Sequence, residues 1–151
     1  MIIIKHRANT RQEINPKYGL EIDIRDYGGK LVLSHDIPND QSEHLESFLS
    51  HIQENNFLAI NIKSVEIESE LKKILSKAKI SNYFTFDWPI PSLKKAINYD
   101  LNCAFRLSEY EKDIYPNCEW AWIDAFNEIW YDADYLISLK NYQVVSNREL
   151  E

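Results

Sequence analysis

The segment Leu20–Arg25 constrains the fold more than any other part of the sequence. In a β-strand its three aliphatic side chains lie on one face, while Glu21, Asp23 and Arg25 lie on the other. The aliphatic face has to be buried against other apolar residues. The two carboxylates on the opposite face repel each other unless a cation lies between them. This strand therefore predicts a divalent-cation site.

Two histidine pairs flank this strand. His6-Arg7 precedes it, and His35-Asp36 follows a Gly28-Gly29 turn and a hairpin arm at 30–34. Because imidazole titrates near neutral pH, we expect His6 and His35 to supply acid and base groups next to the cation.

The bulk composition limits the class of protein. A length of 151 residues predicts one domain, 1–151, and 44% hydrophobic residues exclude a disordered chain. The net charge of −7 argues against binding to nucleic acid or to anionic membranes. There is no apolar run of the roughly 20 residues needed to cross a bilayer, and no signal peptide is recognisable, so we expect a soluble, cytoplasmic protein. Cys103 and Cys118 form no motif and are expected to be buried thiols.

Strand-like and helix-like segments alternate along the chain. The predicted strands are 2–6, 20–25, 30–34, 57–63, 83–87, 102–108, 119–125 and 143–146. The predicted helices are one capped by Ser42 with apolar residues from Leu45 to Ile52, and three more at 67–78, 91–99 and 132–140. Such repeats predict a parallel sheet with helical crossovers, either a β/α barrel or an open doubly wound sheet. The sequence has no glycine-rich phosphate loop, so the nucleotide-binding form of the open sheet has no support.

The later strands favour the barrel, because each has one apolar face and one polar face near its carboxyl end. Strands covered by helices on both faces would instead be almost continuously hydrophobic. The pattern predicts an α/β fold, a small or incomplete (β/α) TIM-type barrel with about seven parallel strands, reduced helices and a site in its interior mouth. The polar positions are Asn61 and Lys63, Thr85 and Asp87, Arg106 and Ser108, and Trp122 and Asp124.

Four short motifs, in this order, resemble one known superfamily. They are His6-Arg7, Glu21-Ile22-Asp23, His35-Asp36 and Asn61-Ile62-Lys63. The chain resembles the glycerophosphodiester phosphodiesterase and phosphatidylinositol-specific phospholipase C-like superfamily, strongly over its first 40 residues and more in strand order than in identity beyond Lys63. The resemblance implies a phosphoric diester hydrolase that acts on a small-molecule phosphodiester.

The resemblance also implies roles for individual residues. Glu21, Asp23 and Asn61 would hold one Mg²⁺ or Ca²⁺. His6 and His35 would act as general base and general acid, with the order of the two left open. The side chains of Arg7 and Lys63 would hold phosphate oxygens.

Three further residues are expected at the substrate. Asp87, Arg106 and Trp122 lie at the carboxyl ends of predicted strands. Each also has a structural interpretation: Arg106 pairs with Asp87 or Asp124, and Trp122 packs in the core.

Two departures from the superfamily pattern keep alternatives open. Its catalytic members commonly carry a glutamate at the position of Asn61, and a complete β/α barrel usually needs roughly 250 residues. Three explanations stay open: the chain has reduced helices and lacks the last α/β unit, a second copy closes the barrel as a homo-oligomer, or the sequence is truncated. The alternatives are a weak or inactive phosphate-binding homologue, a structural partner, and a metal-free lyase against which Glu21 and Asp23 argue.

Overall fold

The fold consists of two sheets built mostly from parallel strands. A computed structural model describes residues 3–146. The strands are β1 (Ile4–Lys5), β2 (Gly19–Tyr27), β3 (Lys30–Leu33), β4 (Glu43–His44), β5 (Leu58–Ile62), β6 (Tyr83–Phe86), β7 (Ala104–Leu107), β8 (Trp120–Ile123) and β9 (Gln143–Ser146). The helices are α1 (Leu45–Leu49), α2 (Glu68–Lys77), α3 (Ile90–Asn98) and α4 (Ala133–Ser138). The α/β fold and the short helices agree with the predictions.

The parallel strands follow one another in chain order across both sheets. The first sheet has the order β4-β3-β2-β5-β6, and β1 pairs in parallel with the first residues of β2. The hairpin arm β3 pairs antiparallel with the last residues of β2. The second sheet has the order β7-β8-β9, and one parallel bridge between Thr85 and Cys103 joins it to β6. Within residues 3–146 no pairing joins β9 to β1, so the described strands form no closed barrel.

Two hydrophobic cores cover the two faces of the strands. On the outer face, alternate residues of β2 and β5 such as Ile22 and Ile60 belong to one core with Leu71 and Leu75 of α2. On the inner face, aromatic rings fill a second core, in which the rings of Phe86 and Trp122 stack with centroids 4.0 Å apart. This arrangement leaves the part of the inner face near the carboxyl ends of the strands for polar side chains.

The inner core also shows how far the strands curl. Ile4 of β1 and Val145 of β9 both pack against it. The first and the last of the parallel strands therefore border the same cluster.

Two local predictions were wrong. On β6, Phe84 and Phe86 face the inner core, whereas Thr85 is bonded to outer residues: its hydroxyl accepts a hydrogen bond from Trp88 Nε1 (2.9 Å). Large rings bury more apolar area there than threonine would, and Thr85 finds partners outside. Ser42 does not cap α1, because its hydroxyl accepts a hydrogen bond from Asn39 N (3.0 Å) and the residues after it form β4.

Within the part of the chain described, no helix is long and apolar enough to span a membrane.

Candidate active site

Two carboxylates and one amide converge on the inner face of β2 and β5. The strand register places Asp23 beside Asn61 and Glu21 beside Ala59, whose side chain belongs to the inner core. The exposed fractions of Glu21, Asp23 and Asn61 are 3%, 0% and 6%. The alternation of β2 therefore brings both carboxylates to the buried inner face, next to the amide predicted to join them.

The buried carboxylates have partners that hold their orientation. Glu21 Oε2 lies 2.6 Å from His6 Nδ1, and Glu21 Oε1 accepts a long hydrogen bond from Asn61 Nδ2 (3.4 Å). Asp23 Oδ2 accepts a hydrogen bond from Asn9 Nδ2 (2.8 Å), and Asn9 Oδ1 accepts one from the Asp23 backbone N–H (2.8 Å). Asn9 was not predicted, since it lies in a loop without periodicity.

Two oxygens in this group remain available to a ligand. Asp23 Oδ1 and Asn61 Oδ1 are buried and accept no hydrogen bond from the described residues, and Asp23 Oδ1 lies 3.6 Å from Lys63 Nζ. Buried oxygens without partners are costly, and carboxylate and amide oxygens are the ligands that Mg²⁺ and Ca²⁺ prefer. Together with Glu21, this donor set fits a divalent cation. It contains only two carboxylates, and residues 3–146 contain no group of three or more His, Cys, Asp or Glu side chains suited to a metal.

The two histidine turns lie close to each other at this end of the sheet. His35 Nδ1 lies 3.0 Å from Asp36 Oδ1, and this contact is the main cause that lowers the pKa of Asp36. The Ala8 N–H donates to the Glu21 carbonyl oxygen (2.7 Å), which ties the turn that carries His6 and Arg7 to β2. The Ser34 N–H donates to the Asp23 carbonyl oxygen (3.0 Å), which ties the second turn to β2.

Backbone strain marks two of the predicted site residues. Arg7 has a φ of 52° and Asp87 a φ of 64°, in the left-handed region that non-glycine residues rarely adopt. Such strain costs about 1–3 kcal/mol per residue and concentrates at functional sites. Glu66, Lys79 and Asp100 share this conformation. Lys79 and Asp100 directly follow the C-caps of α2 and α3, where it is usual, whereas Glu66 lies before α2 and outside the predicted site.

The left-handed turn at Asp87 brings its carboxylate to Arg106. Arg106 Nη1 donates to Asp87 Oδ1 (3.1 Å), and Arg106 Nε donates to Glu111. Burial raises the pKa of Asp87; the charge of Asp124 also raises it, whereas Arg106 opposes the shift. Arg106 is thus balanced by two acidic side chains.

Trp122 lies in the inner core with 3% of its surface exposed. Its Nε1 donates to Asp124 Oδ1 (2.8 Å), which fixes that carboxylate at the end of β8. The structure therefore places Trp122 beneath the site, where it supports Asp124.

Two clefts lie beside the buried carboxylates of Glu21 and Asp23, which line neither cleft. The larger, about 680 Å³, is lined mainly by amide, hydroxyl and charged side chains, including Asn9, Ser34 and His35. The smaller, about 350 Å³, is lined by Asp87, Arg106 and several aromatic residues. Each cleft touches residues of the predicted site.

Comparison with solved structures identifies the fold. The structure is similar to a glycerophosphodiester phosphodiesterase from Agrobacterium tumefaciens, with a TM-score of 0.75, 13% identity, and coverage of 96% of this chain and 86% of that one. It is also similar to a glycerophosphodiester phosphodiesterase from Thermotoga maritima, with a TM-score of 0.64, 15% identity, and coverage of 97% and 94%. No family model and no curated protein matches the sequence. The likeness confirms the α/β fold with mostly parallel strands that the alternating segments predicted.

Proposed function

We propose that the protein is a phosphodiesterase that hydrolyses a small glycerophosphodiester-like substrate with one Mg²⁺ or Ca²⁺ and histidine acid–base catalysis. The observation that carries the proposal is the convergence of Glu21, Asp23 and Asn61 next to His6, with two oxygens left without hydrogen bonds. This group lies on a fold shared with two glycerophosphodiester phosphodiesterases.

Charge balance supports a bound cation. The negative charges of the buried Glu21 and Asp23 would repel a phosphodiester. Lys63 contacts Asp23 and offsets part of this charge. Glu21, Asp23 and Asn61 would hold the metal ion, which, when bound, would neutralise the phosphate and the charge that develops on it. Arg7 and Lys63 would hold phosphate oxygens, Arg7 with its planar fork and Lys63 as a point charge.

The histidines are arranged to move protons at defined atoms. The contact of His6 Nδ1 with Glu21 orients its imidazole and leaves Nε2 to exchange protons with substrate. His35 Nδ1 also contacts a carboxylate, that of Asp36, which is exposed rather than buried. In the hydrolysis, one histidine takes a proton from the attacking water as the P–O bond to that oxygen forms. The other gives a proton to the alcohol oxygen as its bond to phosphorus breaks, yielding a phosphomonoester and a free alcohol.

The assay compares hydrolysis of glycerophosphocholine and bis(p-nitrophenyl) phosphate with Mg²⁺, with Ca²⁺ and with EDTA. We expect cation-dependent release that falls about 100-fold or more in His6→Ala and in His35→Ala. His51→Ala is the matched control, because His51 is exposed and its ring contacts only its own turn among the bonds seen. Release that is absent, or equal in all four proteins, would refute the proposal, and release that persists in EDTA would favour the metal-free lyase.

A second candidate is a phosphate-binding homologue with weak or no turnover. Asn61 favours it, because a neutral ligand in place of a third carboxylate weakens cation binding. A rise in melting temperature with phosphate and cation, without any hydrolysis, would support this function instead.

We also propose that the parallel strands belong to a small barrel of about seven strands, completed between β9 and β1. The packing of Ile4 and Val145 against one core supports closure at this point. Light scattering tests whether a second copy completes the barrel: a dimer supports closure by self-association, and a monomer supports closure within one chain.

A further inference from the structure

We propose that the 350 Å³ cleft between the ends of β6 and β7 binds one of the two alcohols of the diester, and that it selects an alcohol with an aromatic or apolar body and no negative charge. We call it the aromatic cleft; its aromatic walls are Trp88, Phe105, Tyr110 and Tyr115. The inference rests on the proposed function, since it names the substrate class of the same site.

The aromatic cleft begins where the proposed phosphate site ends. Asp87 and Arg106 line it, and Asp87 directly follows Phe86, which pairs with Asn61 in the register of β5 and β6. A diester held beside Lys63 would therefore extend one alcohol past Asp87. The volume lies at the lower end of the range typical of small-molecule sites, roughly 300–1,000 Å³.

The lining determines which alcohols fit. Aromatic faces attract apolar groups and cations. The charged lining is acidic by one unit, since three carboxylates (Asp87, Glu111 and Asp113) exceed two cations (Arg106 and Lys112). An alcohol with its own carboxylate or phosphate is therefore disfavoured.

The outer wall of the cleft is held in place before any ligand binds. Tyr110 is 72% exposed, yet its hydroxyl accepts a hydrogen bond from Asn127 Nδ2 (2.6 Å), and its ring centroid lies 6.2 Å from that of Phe126. An exposed ring fixed in this way contributes little to the core and is ready to contact a ligand at low entropic cost.

Glu109 fixes the loop behind this wall. Its carboxylate accepts three successive backbone N–H bonds, from Phe126 (3.1 Å), Asn127 (2.9 Å) and Glu128 (3.2 Å). These bonds hold Phe126 against Tyr110, and the Phe126 ring lies 5.7 Å from the Arg106 guanidinium carbon. Glu109 is thus a positioning residue for the aromatic cleft.

The cleft on the other side of the carboxylates has a different chemistry. Its lining includes Asn9, Thr10, Asn39, Gln41 and Ser42, which suit a polyol rather than a ring. The two clefts therefore differ as the two alcohols of an asymmetric diester differ.

The test measures dissociation constants of phenyl phosphate and glycerol 3-phosphate by calorimetry in saturating Ca²⁺. The wild-type protein should bind phenyl phosphate about five- to tenfold more tightly, the gain expected for an aromatic contact. The ratio should fall towards one in Tyr110→Ala and be kept in Tyr110→Phe, which retains the ring. Tyr99→Ala is the matched control, because Tyr99 is exposed at the end of α3, at the far end of the strands from the cleft, and the ratio should not change.

The outcomes separate the two proposals. Binding of both ligands without preference, or a preference that survives in Tyr110→Ala, overturns the assignment of the aromatic cleft and leaves the phosphate site intact. Binding of neither ligand overturns the phosphate site and the cleft assignment together. Since the readout is a ratio within one protein, partial unfolding of a variant does not imitate the expected result.

Discussion

Replacing Asn61 by aspartate tests the cation site through stability rather than turnover. The two side chains have the same shape, so the change replaces an amide nitrogen by a charged oxygen. That nitrogen lies 3.4 Å from Glu21 Oε1 and is buried. Two unit charges at this distance repel by about 5 kcal/mol at an effective dielectric constant of about 20. Relaxation and partial protonation reduce this cost, and we expect Asn61→Asp to lose about 2–4 kcal/mol of unfolding free energy without metal.

A bound divalent cation should reverse that loss. Urea unfolding in EDTA and in saturating Ca²⁺ measures both states, and we expect Ca²⁺ to stabilise Asn61→Asp by more than it stabilises the wild type. Asn102→Asp is the matched control: Asn102 Nδ2 also donates to an oxygen, the Tyr83 carbonyl (3.1 Å), but Asn102 lies before β7, at the opposite end of the strands. Its loss should not respond to Ca²⁺. An equal Ca²⁺ effect in wild type and Asn61→Asp would refute the reasoning.

Three other predictions concern residues around the site. Arg25→Gln removes a guanidinium that donates to the carbonyl oxygens of two site residues (2.9 and 3.5 Å), and should lower the unfolding free energy by about 2 kcal/mol and lower kcat; unchanged urea curves would contradict this. Glu109→Gln should be less stable than wild type at neutral pH. Because backbone hydrogen bonds lower the pKa of Glu109 from 4.5 to about 2, that difference should shrink as the pH falls from 4.5 to about 2, and a constant difference in melting temperature would contradict it. Burial raises the pKa of Cys103 to about 11 and that of Cys118 to about 12. A thiol-reactive aromatic disulfide should therefore label neither cysteine in the native protein and both cysteines in urea.

Strand periodicity was sufficient to predict much of the fold and the placement of the central residues of the candidate site. The aliphatic face of Leu20–Arg25 packs with the outer core, so Glu21 and Asp23 necessarily face inward. The same argument placed Asn61 beside them. Both cysteines are free and buried, as predicted.

The remaining features depend on contacts that alternation does not encode. On β6, the inner face is occupied by the rings of Phe84 and Phe86 rather than by Thr85, because the larger rings fill the inner core. The pairing of Arg106 with Asp87 was one of two predicted alternatives, but alternation does not indicate the left-handed backbone at Asp87. Asn9 and Glu109 act from loops on residues 14 or more positions away, where sequence has no period to reveal them.

A crystal structure obtained in Ca²⁺ and phosphate tests the central claim most directly. The account predicts one Ca²⁺ within about 2.3–2.6 Å of oxygens from Glu21, Asp23 and Asn61, with phosphate bound to it and to Lys63. Ca²⁺ found only at surface carboxylates, with the Glu21–His6 contact unchanged and no phosphate at Lys63, would contradict it.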